Sequence, residues 1–399
     1  MSQARINLVS PEVAADPFPH YAALRRDAPV CQVDPGGFWA VSRYDDVAAV
    51  MSDPVAFSSR GVAPAFDPPW LGLEFNAGAH SMVVQDPPDH TRLRGLVNRA
   101  FGPALLAATE PPLRALAERL ADGLAGGGEV DFVSAFATPF VASVIGGVLG
   151  LDPSLHVRFK RWSDILNSAG PVSQGPEHEE LVRTAYRELH GHFAEIIEAR
   201  RREPGPDLGS ALIQARVDGQ ALTDRELHSF FHLLFIAGLE TTIHLVAKSV
   251  LRFTEHPDEV DRLRADPALI PRFIEEMLRH DPSVHCNFRQ ATSDAPLSGG
   301  TVPAGGFIVV LLASANRDEA RFPRPDEFDI DRDTRGHMAF GHGPHVCLGL
   351  ALARLEARVA LETLLSRFRR FERRPGPPEW MHTIIIRGLA RLPIRAIPA

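Results

Sequence analysis

The sequence predicts a mainly α chain with a minor β part. Three observations carry that reading. Apolar residues recur at helical spacing through most of residues 91–280. Strand-like runs are confined to residues 30–41, 297–313 and 383–397. Helices first and last, with strands at both ends, lack the regular alternation that a doubly wound sheet requires.

The elements follow in order. Residues 30–41 read as a short hairpin, because strand formers flank Asp34-Pro35-Gly36-Gly37. The longest helix begins at Thr223. Thr223 and Glu226 have capping-box spacing, and Leu227, Phe230, Phe231 and Leu234 follow on one face. The run Gly170 to Pro176 reads as a flexible loop between helices. In residues 297–313, Gly299-Gly300 and Pro303 to Gly306 mark turns between strands. An amphipathic helix follows Gly349, and Leu392-Pro393-Ile394 reads as a final hairpin. With no internal repeat and no low-complexity linker, residues 1–399 read as one continuous domain.

Composition narrows the class. The 399 residues are 45% hydrophobic and 23% charged, which is globular. Cys31, Cys286 and Cys347 are too few for a disulfide framework and are not spaced for zinc. Met1 to Asn7 contains no apolar run of signal-peptide length, and no stretch approaches the roughly 18–20 apolar residues of a membrane span. The expectation is a cytoplasmic protein without a membrane anchor. A formal charge of −8 argues against nucleic acid as partner. Locally the sign reverses: residues 354–374 hold seven Arg against three Glu, and Arg92, Arg94 and Arg99 cluster elsewhere. Such runs are solvated helix faces or a docking patch for an acidic protein.

Cys347 carries the chemistry. It lies in a Gly-rich loop, Phe340-Gly-His-Gly-Pro-His345-Val-Cys347-Leu-Gly349, directly before the helix. Glycines let a backbone approach a flat macrocycle, and a helix N-terminus stabilises a sulfur anion. That is the form in which a protein offers one thiolate to a haem iron, and thiolate ligation favours O–O cleavage.

Phe340, Gly343, Cys347 and Gly349 fill a pattern that resembles the haem-binding loop of cytochromes P450, and Gly341 and His345 match its bacterial elaboration. The resemblance implies the fold of that family, with haem b between the long central helix and the helix after the Cys loop. Cys347 would ligate iron, beside Phe340 and Gly349. Further motifs arrive in family order. Ala237-Gly238-Leu239-Glu240-Thr241 places a helix-weakening Gly, an acid and a hydroxyl in an apolar helix. A hydroxyl there can bond back to the carbonyl four residues earlier, bend the helix and widen a turn. By resemblance Thr241 hydrogen-bonds O2, Glu240 passes protons through water and Gly238 opens the groove. Glu276 and Arg279 share a helix face. With Arg332 they match the family's Glu-x-x-Arg network, which is buried and fixes the Cys loop. His90, Arg94, Arg289 and His345 match its ligands for the haem carboxylates.

The substrate pocket maps by resemblance onto Phe66, Trp70, Leu73, Phe75, Leu234, Ala237, Val284, His285 and Ile385. The Gly170 to Pro176 loop falls at the family's access lid. Apolar walls suit a lipophilic substrate such as a fatty acid, terpenoid, steroid or polyketide. His285, Cys286 and Asn287 hint at a substrate oxygen. The activity implied is that of a monooxygenase using O2, with electrons from a separate ferredoxin and ferredoxin reductase. No Gly-x-Gly-x-x-Gly strand–turn–helix unit for a fused reductase occurs. The alternatives are a peroxide-dependent haem hydroxylase and a non-catalytic haem-based sensor. Intact Glu240 and Thr241 argue against both.

Overall fold

The long helix of residues 224–255 organises the rest. The computed structural model describes residues 5–63, 69–72, 78, 80–98, 100–150, 155–169, 173–217, 219–381 and 383–399. In chain order the helices are α1 (Pro11–Ala15), α2 (Phe18–Asp27), α3 (Tyr44–Ser52), α4 (Asp89–Asn98), α5 (Pro103–Leu124), α6 (Thr138–Leu149), α7 (His156–Asn167), α8 (Pro176–Arg202), α9 (Leu208–Gln214), α10 (Asp224–Glu255), α11 (Pro257–Ala265), α12 (Ile270–His280), α13 (Leu312–Ala315) and α14 (Leu350–Arg367). The strands are β1 (Val30–Val33), β2 (Phe38–Val41), β3 (Phe57–Ser58), β4 (Val130–Asp131), β5 (Asn287–Ala291), β6 (Ala295–Leu297), β7 (Gly300–Val302), β8 (Phe307–Val310), β9 (Phe368–Glu372), β10 (Glu379–Trp380), β11 (Leu389–Arg391) and β12 (Pro393–Pro398).

Helix α10 starts where the capping box puts it. The Thr223 N–H donates to Glu226 Oε2 at 2.8 Å, and the Glu226 N–H donates to Thr223 Oγ1 at 3.3 Å. It ends at His256, because Pro257 cannot extend the ladder. Its middle is buried against α6, α7, α8 and α14. By length and composition it could cross a membrane, with mean hydropathy 1.6 over an 18-residue window. That corrects the expectation that no stretch approaches span length. The helix is nevertheless the spine of the core: side chains from Met82 to Ala396 pack in one cluster around it.

The hairpin of residues 30–41 forms as β1 and β2, with Val30 opposite Val41. It joins a five-stranded sheet in the order β1-β2-β8-β5-β3. β2 and β8 are parallel, whereas β5 runs antiparallel to β8 with Arg289 opposite Ile308. The final hairpin is not formed as expected. β11 pairs with β10, while β12 turns away at Leu392-Pro393 to pair with β4 and β9. A Pro at the start of β12 offers no N–H to a neighbouring ladder, so the chain changes sheets there.

Candidate active site

The Cys347 loop is set by its glycines. Gly341 and Gly343 have φ of +76° and +70°, a region costly for other residues. A Cβ on Gly343 would also lie 2.4 Å from the Met51 carbonyl oxygen. The Cys347 N–H donates to the Phe340 carbonyl at 2.8 Å and closes the loop. Gly349 then caps α14, and a Cβ there would meet no atom, so the face beside the sulfur stays open. Burial pushes the Cys347 thiol up, opposed by the Gly349 N–H, Arg94 and Arg354.

Phe340 lies under a guanidinium. Arg354 sits 4.7 Å from its ring centre and forks onto Glu275 at 2.5 and 2.8 Å. His337 reaches the same carboxylate at 3.0 Å. Burial raises the Glu275 carboxyl, but Arg354 and His337 outweigh it and bring it down to about 2. Sequence reasoning missed this trio. Its signal was the first Glu of Glu275-Glu276: neighbours on a helix face different ways, so each acid needs its own partner.

Glu276, Arg279 and Arg332 come together. Arg279 Nε and Nη2 lie 2.8 and 2.7 Å from the two Glu276 oxygens, and Arg332 Nε lies 3.3 Å from Oε1. Glu276 and Arg279 have no solvent exposure. The Asp329 N–H also donates to Glu276 at 2.9 Å, and Arg279 Nη1 donates to the Asn316 and Pro325 carbonyls. One carboxylate thus ties α12 to the segment leading to the Cys loop.

Two arginines and two histidines, Arg94, Arg289, His90 and His345, gather near the loop. His90 on α4 packs its ring 4.1 Å from that of His345, centre to centre. Arg289 on β5 is buried, and its Nη1 reaches only the Phe288 carbonyl. Burial lowers the Arg289 guanidinium to about 10, opposed by Asp86. Burial, then Arg289, His90 and Arg94, push the His345 imidazole down to about 3. Burial also lowers Arg94, opposed by the Cys347 sulfur. His90 Nε2 and Arg289 Nη2 are buried with no partner among the described residues. Orphaned donors of this kind are costly unless an anion meets them. A flat group with two carboxylates and a metal that takes sulfur fits this donor set.

On α10 the helical run is unbroken from Asp224 to Glu255, so the expected wider turn is not a break. The Thr241 hydroxyl does bond back, to the Ala237 carbonyl at 2.8 Å. Ala237 is exposed and Thr241 half-buried, while Leu239, Glu240 and Thr242 are buried, so one face of α10 borders open space. Gly238 serves packing: a Cβ there would lie 2.4 Å from Ile145 Cδ1 of α6. Its missing side chain leaves room for the end of Ile145 on the neighbouring helix.

Glu240 points away from Thr241. Its Oε1 accepts from Ser163 Oγ at 3.0 Å and lies 3.3 Å from Lys160 Nζ, both on α7. Its Oε2 lies 3.1 Å from His244 Nε2. Burial raises the carboxyl, but His244, Lys160 and Ser163 bring it to about 2, so it is ionised. Lys160 also pairs with Asp164, whose side chain is 46% exposed. The acid therefore has a polar route through α7 to solvent.

Of the pocket residues, Phe66, Leu73 and Phe75 lie outside the described residues, as does part of the Gly170 to Pro176 loop. Trp70 packs beside Leu71, Val182 and Tyr186, against α8. Leu234 is partly buried on α10. Val284 bridges Ile386, and the His285 N–H donates to the Ile385 carbonyl at 2.8 Å, so the two walls are laced together. Two of the polar trio, His285 and Cys286, are buried and bonded within the protein while Asn287 is half-buried, so the first two do not carry the hint of a substrate oxygen. His285 Nδ1 lies 3.4 Å from the Tyr21 hydroxyl, Cys286 Sγ faces the Ile384 carbonyl at 3.3 Å, and Asn287 Oδ1 takes the Phe288 N–H.

Residues 159–391 match the family model described as Cytochrome P450. The chain is 37% identical to the cytochrome P450 monooxygenase PikC of Streptomyces venezuelae, over 96% of this chain and 92% of that one. It is 36% identical to a vitamin D(3) 25-hydroxylase of Pseudonocardia autotrophica, over 96% and 94%. The structure of cytochrome P450 CYP109Q5 from Chondromyces apiculatus superposes with a TM-score of 0.91 at 41% identity, covering 99% of both chains. Family members bind haem b, the flat dicarboxylate that the orphaned donors and Cys347 fit. On fold, site and sequence the chain belongs to the cytochrome P450 family and is a monooxygenase of bacterial type.

Proposed function

We propose that this single domain, residues 1–399, inserts one atom of O2 into a C–H or C=C bond of a lipophilic small molecule in the cytoplasm. The other oxygen atom leaves as water, which consumes two protons and two electrons. Separate ferredoxin and ferredoxin reductase chains supply the electrons. Haem b, when bound, supplies the activation of O2. Cys347 would give iron its sulfur, Phe340 and Gly349 would border the ring, and His90, Arg94, Arg289 and His345 would hold its carboxylates.

The observation that carries the reading is Glu240. It is an ionised acid with no solvent exposure, one residue from the Thr241 hydroxyl, joined through Lys160 and Asp164 to the surface. A path for protons into an apolar core suits a reaction that consumes protons. Peroxide brings its own protons, and a sensor needs none, so this path favours O2 chemistry over both alternatives. Because Glu240 and Thr241 face different ways, the last transfer requires a side-chain rotation or a water molecule.

Trp70, Leu234, Ala237, Val284 and Ile385 give the pocket apolar walls. The relatives named for vitamin D(3) and for 6-deoxyerythronolide B support a bulky lipophile, with steroid-like and polyketide substrates both open beside the fatty acid and terpenoid alternatives.

The test is the CO spectrum of reduced protein beside Cys347→His, followed by NADPH turnover with a surrogate ferredoxin and reductase. A red-shifted Soret band that the variant loses, and product formed with NADPH and O2, are expected. An imidazole-type spectrum in wild type, or product with peroxide alone, overturns the reading.

A further inference from the structure

Helix α10 carries Glu240 and His244 one turn apart, and both are fully buried. His244 Nε2 lies 3.1 Å from Glu240 Oε2. Because Glu240 is a carboxylate, it can only accept, so Nε2 carries the proton and Nδ1 the lone pair. Nδ1 is buried and meets no partner among the described residues. The ring is also packed against the C-terminal segment. A Cβ on Gly388 would lie 2.2 Å from His244 Cδ2 and 2.3 Å from Nε2, so the backbone of Gly388 lies against the imidazole. Gly388 belongs to the segment that carries Ile384 to Ile386. That segment is held by Arg387 N–H to the Ser283 carbonyl at 2.8 Å and by Met381 N–H to the Gly388 carbonyl at 2.8 Å.

The two oxygens of Glu240 therefore sense two different walls. Oε1 is held by Ser163 and Lys160 of α7, and Oε2 is held through His244 by the C-terminal segment. The charged groups around His244 are Glu240 and Lys248 on α10 and Lys160 on α7, with Asp164 next to Lys160. With two cations near and one anion paired, a neutral imidazole is the form that fits, and a neutral N–H donor orients an acid without taking its proton.

We propose that His244 is a positioning residue for Glu240: it fixes the carboxylate through Nε2–H and transmits the position of the Ile384 to Ile386 segment to the proton-delivering acid. The proposal rests on the reading of Glu240 as that acid. A substrate that pushes on the C-terminal segment moves Gly388, and Gly388 moves the imidazole. Proton delivery is thereby tied to an occupied pocket.

The experiment uses haem-loaded protein in two arms. In the first, 15N-histidine spectra are recorded from about pH 5.5 to about pH 8, the range in which an ordinary imidazole titrates. The His244 ring is identified by its loss in His244→Gln. A neutral Nε2–H tautomer throughout is expected, giving way to mixed tautomers or titration in Glu240→Ala. A protonated or Nδ1–H ring in wild type overturns the proposal. In the second arm, NADPH oxidation and H2O2 release are measured with a surrogate ferredoxin and reductase, with and without vitamin D(3) as probe. The variants are Glu240→Ala, His244→Phe and His244→Gln, whose amide can replace Nε2–H.

Glu240→Ala is expected to slow NADPH oxidation about tenfold or more and to raise the H2O2 fraction. His244→Phe follows in the same direction by about threefold or more, and His244→Gln returns toward wild type. If Glu240→Ala changes nothing, the relay reading fails. If Glu240→Ala slows turnover while His244→Phe matches wild type at equal haem content, the relay stands and the role of His244 is refuted.

Discussion

Glu276 holds two guanidinium groups with one carboxylate where no water reaches, and removing it strands Arg279. Breaking a buried pair from one side costs about 3–5 kcal/mol, a large share of the stability of any domain. Glu276→Ala is therefore expected to fail to accumulate as haem-loaded protein. Haem content per chain and a thermal melt check this, and wild-type loading in the variant refutes it. Glu356 is the opposite kind of buried acid. It is 1% exposed, its Oε2 has no partner among the described residues, and burial alone holds its carboxyl well above the ordinary range. Burial therefore favours its neutral form in the folded chain, whereas the unfolded chain ionises it at pH 7. A raised carboxyl contributes its full stability below the unfolded pKa of about 4.3 and loses it as pH climbs toward the folded value. Gln has no such dependence. The melting temperature of Glu356→Gln should thus gain on wild type as pH rises from about 5 to about 8. A variant that gains nothing on wild type over that range shows that Glu356 is ionised in the native protein.

At the scale of elements, Gly238 decides how closely α10 approaches α6. Ala in a helix interior is better than Gly by about 1 kcal/mol, but a methyl 2.4 Å from Ile145 Cδ1 overpacks a buried contact, which costs about 1–3 kcal/mol. Gly238→Ala should lower the melting temperature, and adding Ile145→Val should recover it. A stabilised single variant would show that the end of Ile145 rotates aside at little cost. This role was not legible in the sequence, where Gly238 marked a weak point in a helix but not what fills the space. Local signals carried further. The capping box at Thr223, the turn at residues 34–37 and the Gly loop before Cys347 each involve neighbours a few residues apart, and all three form. Long-range choices did not. The direction of Glu240 is set by Lys160 and Ser163, about eighty residues earlier, and β12 takes partners at residues 130–131 and 368–372 rather than its neighbour β11. His285 looked like a pocket residue because it lies in a pocket segment. A strand-like backbone alternates its side chains, and this one turns toward Tyr21 and Asp281.

Across the whole molecule, charge must be counted in space. The seven Arg of residues 354–374 suggest a positive docking face, yet six already have carboxylates: Arg354 with Glu275, Arg358 with Glu110 and Glu362, Arg367 with Glu118 and Asp122, Arg370 with Asp261, Arg373 with Glu255, and Arg374 with Glu129. Arg92 is likewise paired, with Glu226, while Arg94 lies near Cys347, and Arg99 is outside the described residues. Paired charges present alternating signs, and at a Debye length of about 10 Å such a field is screened before a partner arrives. The net charge of −8 adds repulsion toward an acidic ferredoxin. Strong steering raises association rates by about 10 to 1,000-fold and collapses with salt. The rate of reduction by an acidic ferredoxin should therefore change by less than about tenfold between about 50 and about 500 mM salt. Stopped-flow reduction at several ionic strengths measures it. Arg369, which donates to the Pro398 carbonyl and has no carboxylate partner among the described residues, is the exception in the run. A steep loss of rate with salt, removed by Arg369→Ala, would locate a steering patch there and overturn the expectation, whereas a shallow dependence leaves the run as a set of struts between α14, β9 and their neighbours.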